Sequence, residues 1–446
     1  MADLSVNFCG IKSPNPFWLA SGPPTNCGEQ IMRAFDMGWG GAVWKTLGKP
    51  IVNVSSRLGA VDFSGKKISG FNNIELITDR PLETNFKEIY AVKKQYPENI
   101  VIVSLMTESK KEWQDLIRRS EDAGADGLEL NFGCPHGMCE RGMGSSVGQE
   151  PKILKEITSW VKEYANIPVI IKLTPNVGNI IDPGSAAVEG GADAISLINT
   201  IKSIIGINLQ NFAPYPSVHG ESTNGGYCGP AVKPIALYMV GALAREKNIT
   251  VPISGIGGIS TWQDTVEFFA LGATTIQVCT AVMHYGYRIV EDMIDGLNNY
   301  LNDMKMNTVN ELIGKAIPNY VEWGDLDLNY SLVAKIDAEK CIGCQLCYIA
   351  CLDGAHQCIH TRQGKCAAYH GKSDHGMKPR TEVKPTIEHK TSDEYLIQVP
   401  FVDEDECVGC NLCNLVCPVP GCITMEDVSI NPEKESWNDR VIKGVV

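Results

Sequence analysis

The sequence predicts an α/β protein in two parts: a (β/α)8 barrel over residues 1–310 and a small, cysteine-dense α+β domain over 336–446, with a linker at 311–335. Three observations predict it. Eight short apolar runs recur up to residue 281, helical patterns separate most of them, and two groups of four closely spaced cysteines follow residue 336.

The runs are NPFWLAS (15–21), GAVWKTL (41–47), NIVIVSLM (99–106), GLELNF (127–132), PVIIKLT (168–174), AISLINT (194–200), PISGIG (252–257) and TIQVCTA (275–281). Each is bounded by turn residues and rich in β-branched side chains, the pattern of a buried strand. Between them lie amphipathic stretches such as TNFKEIYAVKKQY, KEWQDLIRRSEDAGA, PKILKEITSWVKEY, PIALYMVGALAREK and TWQDTVEFFALGA. Strand and helix in alternation imply a parallel sheet with right-handed crossovers. Eight such units suggest a closed barrel, which takes about 250 residues. A doubly wound open sheet is the rival. Polar residues gathered at the C-terminal ends of most runs favour the barrel.

The 446 residues are 44% hydrophobic and 20% charged, ordinary for a globular protein. A net charge of −13 argues against nucleic-acid or anionic-membrane partners. The opening MADLSVNFCG lacks the basic region and apolar core of a signal peptide, and no apolar run is long enough to span a bilayer. The expected location is cytoplasmic. Seventeen cysteines in a reducing compartment point to metal or redox chemistry, not to a disulfide framework.

Cys341, Cys344, Cys347 and Cys351 have the spacing C-x2-C-x2-C-x3-C, and Cys407, Cys410, Cys413 and Cys417 repeat it before Pro418. This is the spacing of ferredoxins with two [4Fe–4S] clusters, in which the fourth thiolate serves the other cluster. Cys341, Cys344, Cys347 and Cys417 are therefore assigned to one cluster. Cys407, Cys410, Cys413 and Cys351 are assigned to the second. Zinc is the alternative, but it needs neither the third close cysteine nor the Cys-Pro. Leu352 stands where proline would follow the first tetrad. The insert at 359–400 carries His360, Cys366, His370, His375 and His389; it fits no tight ligand spacing and reads as a solvated loop.

Ser21, Lys45, Asn131, Lys172, Asn199, Thr200 and Thr280 stand at strand C-termini, the end at which barrels of this kind place their sites. SGIGGIS (254–260) follows the seventh run and opens a helix, so its backbone N–H groups can approach a phosphate. YCGPA (227–231) offers a second backbone wall. No complete G-x-G-x-x-G follows a strand, so a nicotinamide-dinucleotide domain is not expected. Lys45 and Lys172 lie inside apolar runs; they read as contacts to an anionic flavin edge, with an internal salt bridge as the alternative. Single-electron carriers must meet two-electron chemistry somewhere, and flavin is the usual converter. FMN in the barrel is the expectation.

The stretch ELNFGCPHGMCERGMG (129–144) leaves the fourth strand as a glycine-rich loop. Cys134 is the candidate acid–base thiol, with Cys139 its rival; His136 tunes the thiol, meets substrate, or is merely solvated. Asn73, Asn131, Asn199 and Thr200 are neutral groups that both donate and accept, which suits a ring with alternating donors and acceptors. Turn formation and capping are their ordinary roles.

NPFWLASGPPT, the Lys45-Thr46 pair, FNNIEL, the LELNFGCPHGM loop, KLTPN, INT, GIGGI and QVC together resemble the FMN barrel of dihydropyrimidine dehydrogenases, and the two tetrads resemble that family's ferredoxin domain. The likeness is to the bacterial two-subunit form. It implies reduction of uracil or thymine to the 5,6-dihydro form, with Cys134 protonating C5 while FMN delivers hydride to C6. It implies pyrimidine contacts from Asn73, Asn131, Phe132, Gly133, His136, Asn199 and Thr200. Ala20, Ser21, Lys45, Thr46, Lys172, Gly229, Ile256, Gly257, Gly258, Cys279 and Thr280 would surround FMN. A partner flavoprotein subunit would carry FAD and NAD(P)H, in a homo- or hetero-oligomer. Cys139 replaces a glycine of the family, and the insert between the tetrads is longer than the family pattern. A dihydroorotate dehydrogenase and a non-catalytic electron carrier are the competing functions.

Overall fold

A computed structural model describes residues 2–49, 51–61, 70–135, 142–364 and 397–445. They form two compact units, Met1–Tyr320 and Val321–Val446.

In the first unit β1 (Phe17–Leu19), β2 (Gly41–Leu47), β3 (Ile100–Leu105), β4 (Gly127–Asn131), β5 (Val169–Lys172), β6 (Ala194–Leu197), β7 (Ile253–Ile256) and β8 (Ala273–Val278) each pair in parallel with the next. β8 pairs in turn with β1, which closes the barrel. These are the eight apolar runs, trimmed at their ends. A helix follows each strand: Gly28–Asp36, Leu82–Gln95, Lys110–Asp122, Pro151–Tyr164, Ile181–Glu189, Lys233–Arg245, Trp262–Ala270 and Ile289–Asp303.

Strand periodicity separates two layers. In β4, Leu128 and Leu130 face outward into the core shared with the helices, whereas Glu129 and Asn131 join polar partners. In β5, Val169 and Ile171 belong to the outer core while Ile170 belongs to a separate inner cluster. That cluster also contains Phe8, Ile11, Trp18, Val43 and Ile102. Phe8 and Ile11 come from a hairpin, Val6–Phe8 with Ile11–Ser13, whose turn uses positive φ at Cys9 and Gly10. The N-terminal half of the interior is thus apolar. Polar side chains fill the C-terminal half.

A four-stranded antiparallel sheet, not foreseen from the sequence, is built from Leu58–Ala60, Phe71–Asn73, Gly225–Cys228 and Ile201–Ser203. Its strands come from the connections after β2 and β6, and it carries Asn73.

The expected linker 311–335 is built into both units. The Gly314 and Ala316 N–H groups donate to the Phe269 and Ala270 carbonyls, and Leu332–Ile336 is a strand of the second unit. There it pairs antiparallel with Ile423–Asp427. Helices Leu346–Gly354 and Leu412–Val416 follow the two cysteine loops. The insert departs from a plain loop at both ends, where Ile359–Gly364 pairs with Ile397–Val402. His360 lies on that hairpin; Cys366, His370, His375 and His389 lie outside the described residues. Among the described residues no helix is long and apolar enough to cross a membrane.

Candidate active site

The polar half of the barrel interior centres on Glu129, which is fully buried. Its carboxylate pairs with Lys172 Nζ at 3.2 Å and accepts from Ser196 Oγ at 2.9 Å and Gln277 Nε2 at 3.0 Å. A buried ion pair is tolerated only with such additional hydrogen bonds, because desolvation of the charges is costly. The Oε1 atom of Gln277 is buried and has no partner among the described residues. Gln277 and Lys172 both line the cavity at the C-terminal mouth of the barrel.

That mouth gathers residues far apart in sequence. Ala20 and Ser21 follow β1, Ile256 ends β7 with Gly257 and Gly258 just after it, and Cys279 and Thr280 follow β8. Gly229 and Asn73 line it from the antiparallel sheet, and Asn199 and Thr200 from the end of β6. Burial pushes the Cys279 thiol up to about 12, so it stays protonated at neutral pH.

A ligand-shaped need is written in the main chain. The N–H groups of Gly258 and Ile259 after β7, and of Thr280 and Ala281 after β8, donate to nothing among the described residues, yet all four residues line the cavity. Gly257 and Gly258 have φ of 122° and 76°. A Cβ on Gly258 would lie 2.8 Å from Lys233, so only glycine lets the chain pass there. The following helix start is not available in the way its sequence suggested. Asp264 already accepts from the N–H groups of Ser260 and Thr261 at 2.8 and 2.9 Å. Burial alone would raise the Asp264 carboxyl, but Lys233 and those N–H donors hold it below its ordinary 3.8.

A chain of neutral hydrogen bonds ties the strand ends together. Asn131 Nδ2 donates to Thr46 Oγ1 at 3.0 Å, and Asn199 Nδ2 donates to Asn131 Oδ1 at 2.9 Å. Thr46 Oγ1 also meets Ser104 Oγ and Ser21 Oγ. Gly133 sits against Asn199, since a Cβ there would lie 2.3 Å from the Asn199 Cβ. Phe132 differs from expectation: its ring packs edge-on against Trp113 in the outer core, so only its main chain is directed elsewhere. Cys134 is buried in a small apolar cluster with Ile77, Met106 and Met143. Its carbonyl accepts from the Ser145 N–H, which fixes the loop's return. His136 and Cys139 lie outside the described residues.

Both strand lysines have internal carboxylate partners, the alternative weighed for them. Lys45 Nζ is 2.7 Å from Glu75, which also pairs with Arg57. Lys172 pairs with Glu129 and still lines the cavity, whereas Lys45 and Thr46 stand behind its lining. Sequence reasoning missed Glu129, Glu75 and Gln277. An acid in the apolar run GLELN, one strand away from a buried lysine, was the available signal for the first.

In the second unit the cysteines wall two small cavities. Cys351, Cys407, Cys410 and Cys413 line one; Cys341, Cys344, Cys347 and Cys417 line the other. The two loops repeat one geometry: Gly343 and Gly409 have φ of 67° and 66°, and Gln345 and Asn411 have φ of 62° and 68°. Clustered thiols around a cavity are a donor set for a soft metal centre.

Residues 3–301 match the dihydroorotate dehydrogenase family model. The chain is 45% identical to the NAD-dependent dihydropyrimidine dehydrogenase subunit PreA of Escherichia coli (strain K12), over 80% of this chain and 87% of that protein. It is 42% identical to the chloroplastic dihydropyrimidine dehydrogenase (NADP(+)) of Arabidopsis thaliana, over 73% and 79%. It is 37% identical to the catalytic subunit of dihydroorotate dehydrogenase B (NAD(+)) of Pyrococcus abyssi, over 70% and 99%. With its closed barrel and buried strand-end site, the chain belongs to the dihydroorotate dehydrogenase family, among its dihydropyrimidine dehydrogenase members.

Proposed function

We propose that this chain is the catalytic subunit of an NAD(P)-linked dihydropyrimidine dehydrogenase, interconverting uracil or thymine and the 5,6-dihydro base. FMN occupies the barrel mouth, two [4Fe–4S] clusters occupy the cysteine cavities, and a partner flavoprotein with FAD and NAD(P)H supplies electrons. The free N–H groups of Gly258, Ile259, Thr280 and Ala281 suit the phosphate. The unpartnered Gln277 Oε1 suits a donor on the same ligand. FMN held there would supply hydride chemistry toward pyrimidine C6 and one-electron chemistry toward the clusters.

The chain's own residues do the rest. Asn73, Asn199 and Thr200 hold the pyrimidine's alternating donors and acceptors, and Asn131 positions Asn199 through its amide. Cys134, at the exit of β4, gives the proton to C5 and takes it back in reverse. Its apolar neighbours exclude water from the thiol.

The observation that carries this reading over a dihydroorotate dehydrogenase is charge. Among the described lining residues Lys172 is the one cation, and Glu129 already neutralises it. Apart from the N–H groups assigned to the phosphate, the described lining offers no uncompensated positive charge, so a neutral base suits that mouth better than a carboxylate. The test is anaerobic turnover of dihydrouracil against dihydroorotate by the purified chain with an artificial electron acceptor. Preference for dihydrouracil is expected; preference for dihydroorotate overturns the reading. Cys134→Ala should lower turnover about 10²- to 10⁴-fold while the flavin absorbance stays normal. An active Cys134→Ala enzyme would move the acid role elsewhere.

A further inference from the structure

Each cysteine cavity contains one thiol more than a cubane needs. Cys358 lines the cavity of Cys351, Cys407, Cys410 and Cys413; Cys422 lines that of Cys341, Cys344, Cys347 and Cys417. Neither belongs to a C-x2-C-x2-C-x3-C tetrad. Both are buried. They differ in what their sulfur meets. Cys422 Sγ donates to the main-chain carbonyl of Asp337 at 3.6 Å as well as meeting Cys417. Cys358 Sγ lies 3.6 Å from Cys351 Sγ and also meets Cys407, both of them sulfurs of the cluster wall.

Cys351 is the fourth cysteine of its tetrad, delivered to the second cavity by the helix Leu346–Gly354. The chain then turns back at once. The N–H groups of Ala355 and Gln357 both donate to the Cys351 carbonyl, and with the 3.6 Å approach of the two sulfurs this places Cys358 over the same corner of the cavity. Two thiols at one corner cannot both bind one iron, since a cubane iron takes a single protein ligand.

The geometry points to Cys358 as a reserve ligand of the cluster walled by Cys351, Cys407, Cys410 and Cys413, able to take the iron that Cys351 holds. This inference rests on the cluster reading above. When the Cys351 sulfur is absent, Cys358 releases its proton to solvent and its thiolate bonds the open iron; no electron is gained or lost. With Cys351 in place, the Cys358 S–H serves as a donor to sulfur.

The experiment uses the full chain, purified anaerobically, with iron and sulfide analysis and electron paramagnetic resonance of oxidised and reduced samples. Wild type should contain about eight irons per chain; if it contains none, the cluster reading fails and the reserve ligand with it. Given a loaded wild type, Cys351→Ala should keep about eight irons and show no oxidised three-iron signal. Cys358→Ala should also keep about eight, and Cys351→Ala with Cys358→Ala should lose the cluster or drop to a three-iron form. A three-iron signal or about four irons in Cys351→Ala alone overturns the inference. Should that variant fail to accumulate, Cys351→Ser poses the same question with less loss of packing. Resonance Raman bands of all-thiolate ligation support Cys358, and bands of an oxygen-ligated iron refute it.

Discussion

The two units bury different things. Among the described residues, the main core of the barrel unit is aliphatic and aromatic and contains no cysteine. Among the described residues, the buried cluster of the second unit is mostly sulfur: six of its nine members are Cys341, Cys347, Cys351, Cys358, Cys413 and Cys422, joined by Ala334, Ile359 and Ile423. Burial of aliphatic side chains stabilises the barrel without help from a ligand. On the proposed cluster reading, a unit whose described core is so poor in aliphatic side chains would draw much of its stability from the clusters, as small metal domains do.

The largest expected effect tests that contrast. Stripping iron with a chelator and an oxidant should speed amide exchange in Leu332–Ile336 and Ile423–Asp427 by about three orders of magnitude, with the barrel strands unchanged. Equal protection before and after would show that the polypeptide alone holds the second unit. The barrel has its own weak point, the charge it buries. Glu129→Ala should cost about 3–5 kcal/mol in thermal or denaturant unfolding, because it leaves Lys172 buried and unpaired. A cost under about 1 kcal/mol would mean that Lys172 reaches water by the cavity mouth.

A smaller effect is expected from Gly258→Ala. The positive φ and the 2.8 Å approach to Lys233 should together cost about 1–3 kcal/mol and weaken flavin retention. Gly142→Ala is the control, since it has positive φ but nothing among the described residues within 4 Å of the added carbon. Equal costs at the two positions would assign the whole effect to backbone strain. The smallest effect is one of pH. Asp264 is held below its ordinary 3.8 in the folded barrel, so its stabilisation is complete above about pH 4 and is lost as pH falls through the lower, native value. Asp264→Asn should flatten that acid limb of the stability curve by about 1 kcal/mol, and an unchanged limb would show Lys233 and the helix cap to be irrelevant to it.

The barrel was legible because each strand carries its own signal: a short β-branched run, a turn and a helix. The antiparallel sheet over the mouth carried no such signal. Its strands are three or four residues long, and Asn73 finds Gly226 only across some 150 residues of chain. The lysines were half legible. Position within an apolar run marked Lys45 and Lys172 as special, but Glu75 and Glu129 emerged as their partners only when neighbouring segments were brought together. Phe132 misled because one step along a strand reverses the face, which sends its ring to Trp113.

By itself the sequence determined the number and order of the barrel strands, the two cysteine repeats and the loop that carries Cys134, since spacing and periodicity are local properties. Only the tertiary structure decided that Glu129 neutralises the cavity's lysine, that four main-chain N–H groups stand open at one wall, and that five thiols meet where four suffice. These depend on groups distant along the chain arriving within a few ångströms of each other, and local patterning does not encode such distances.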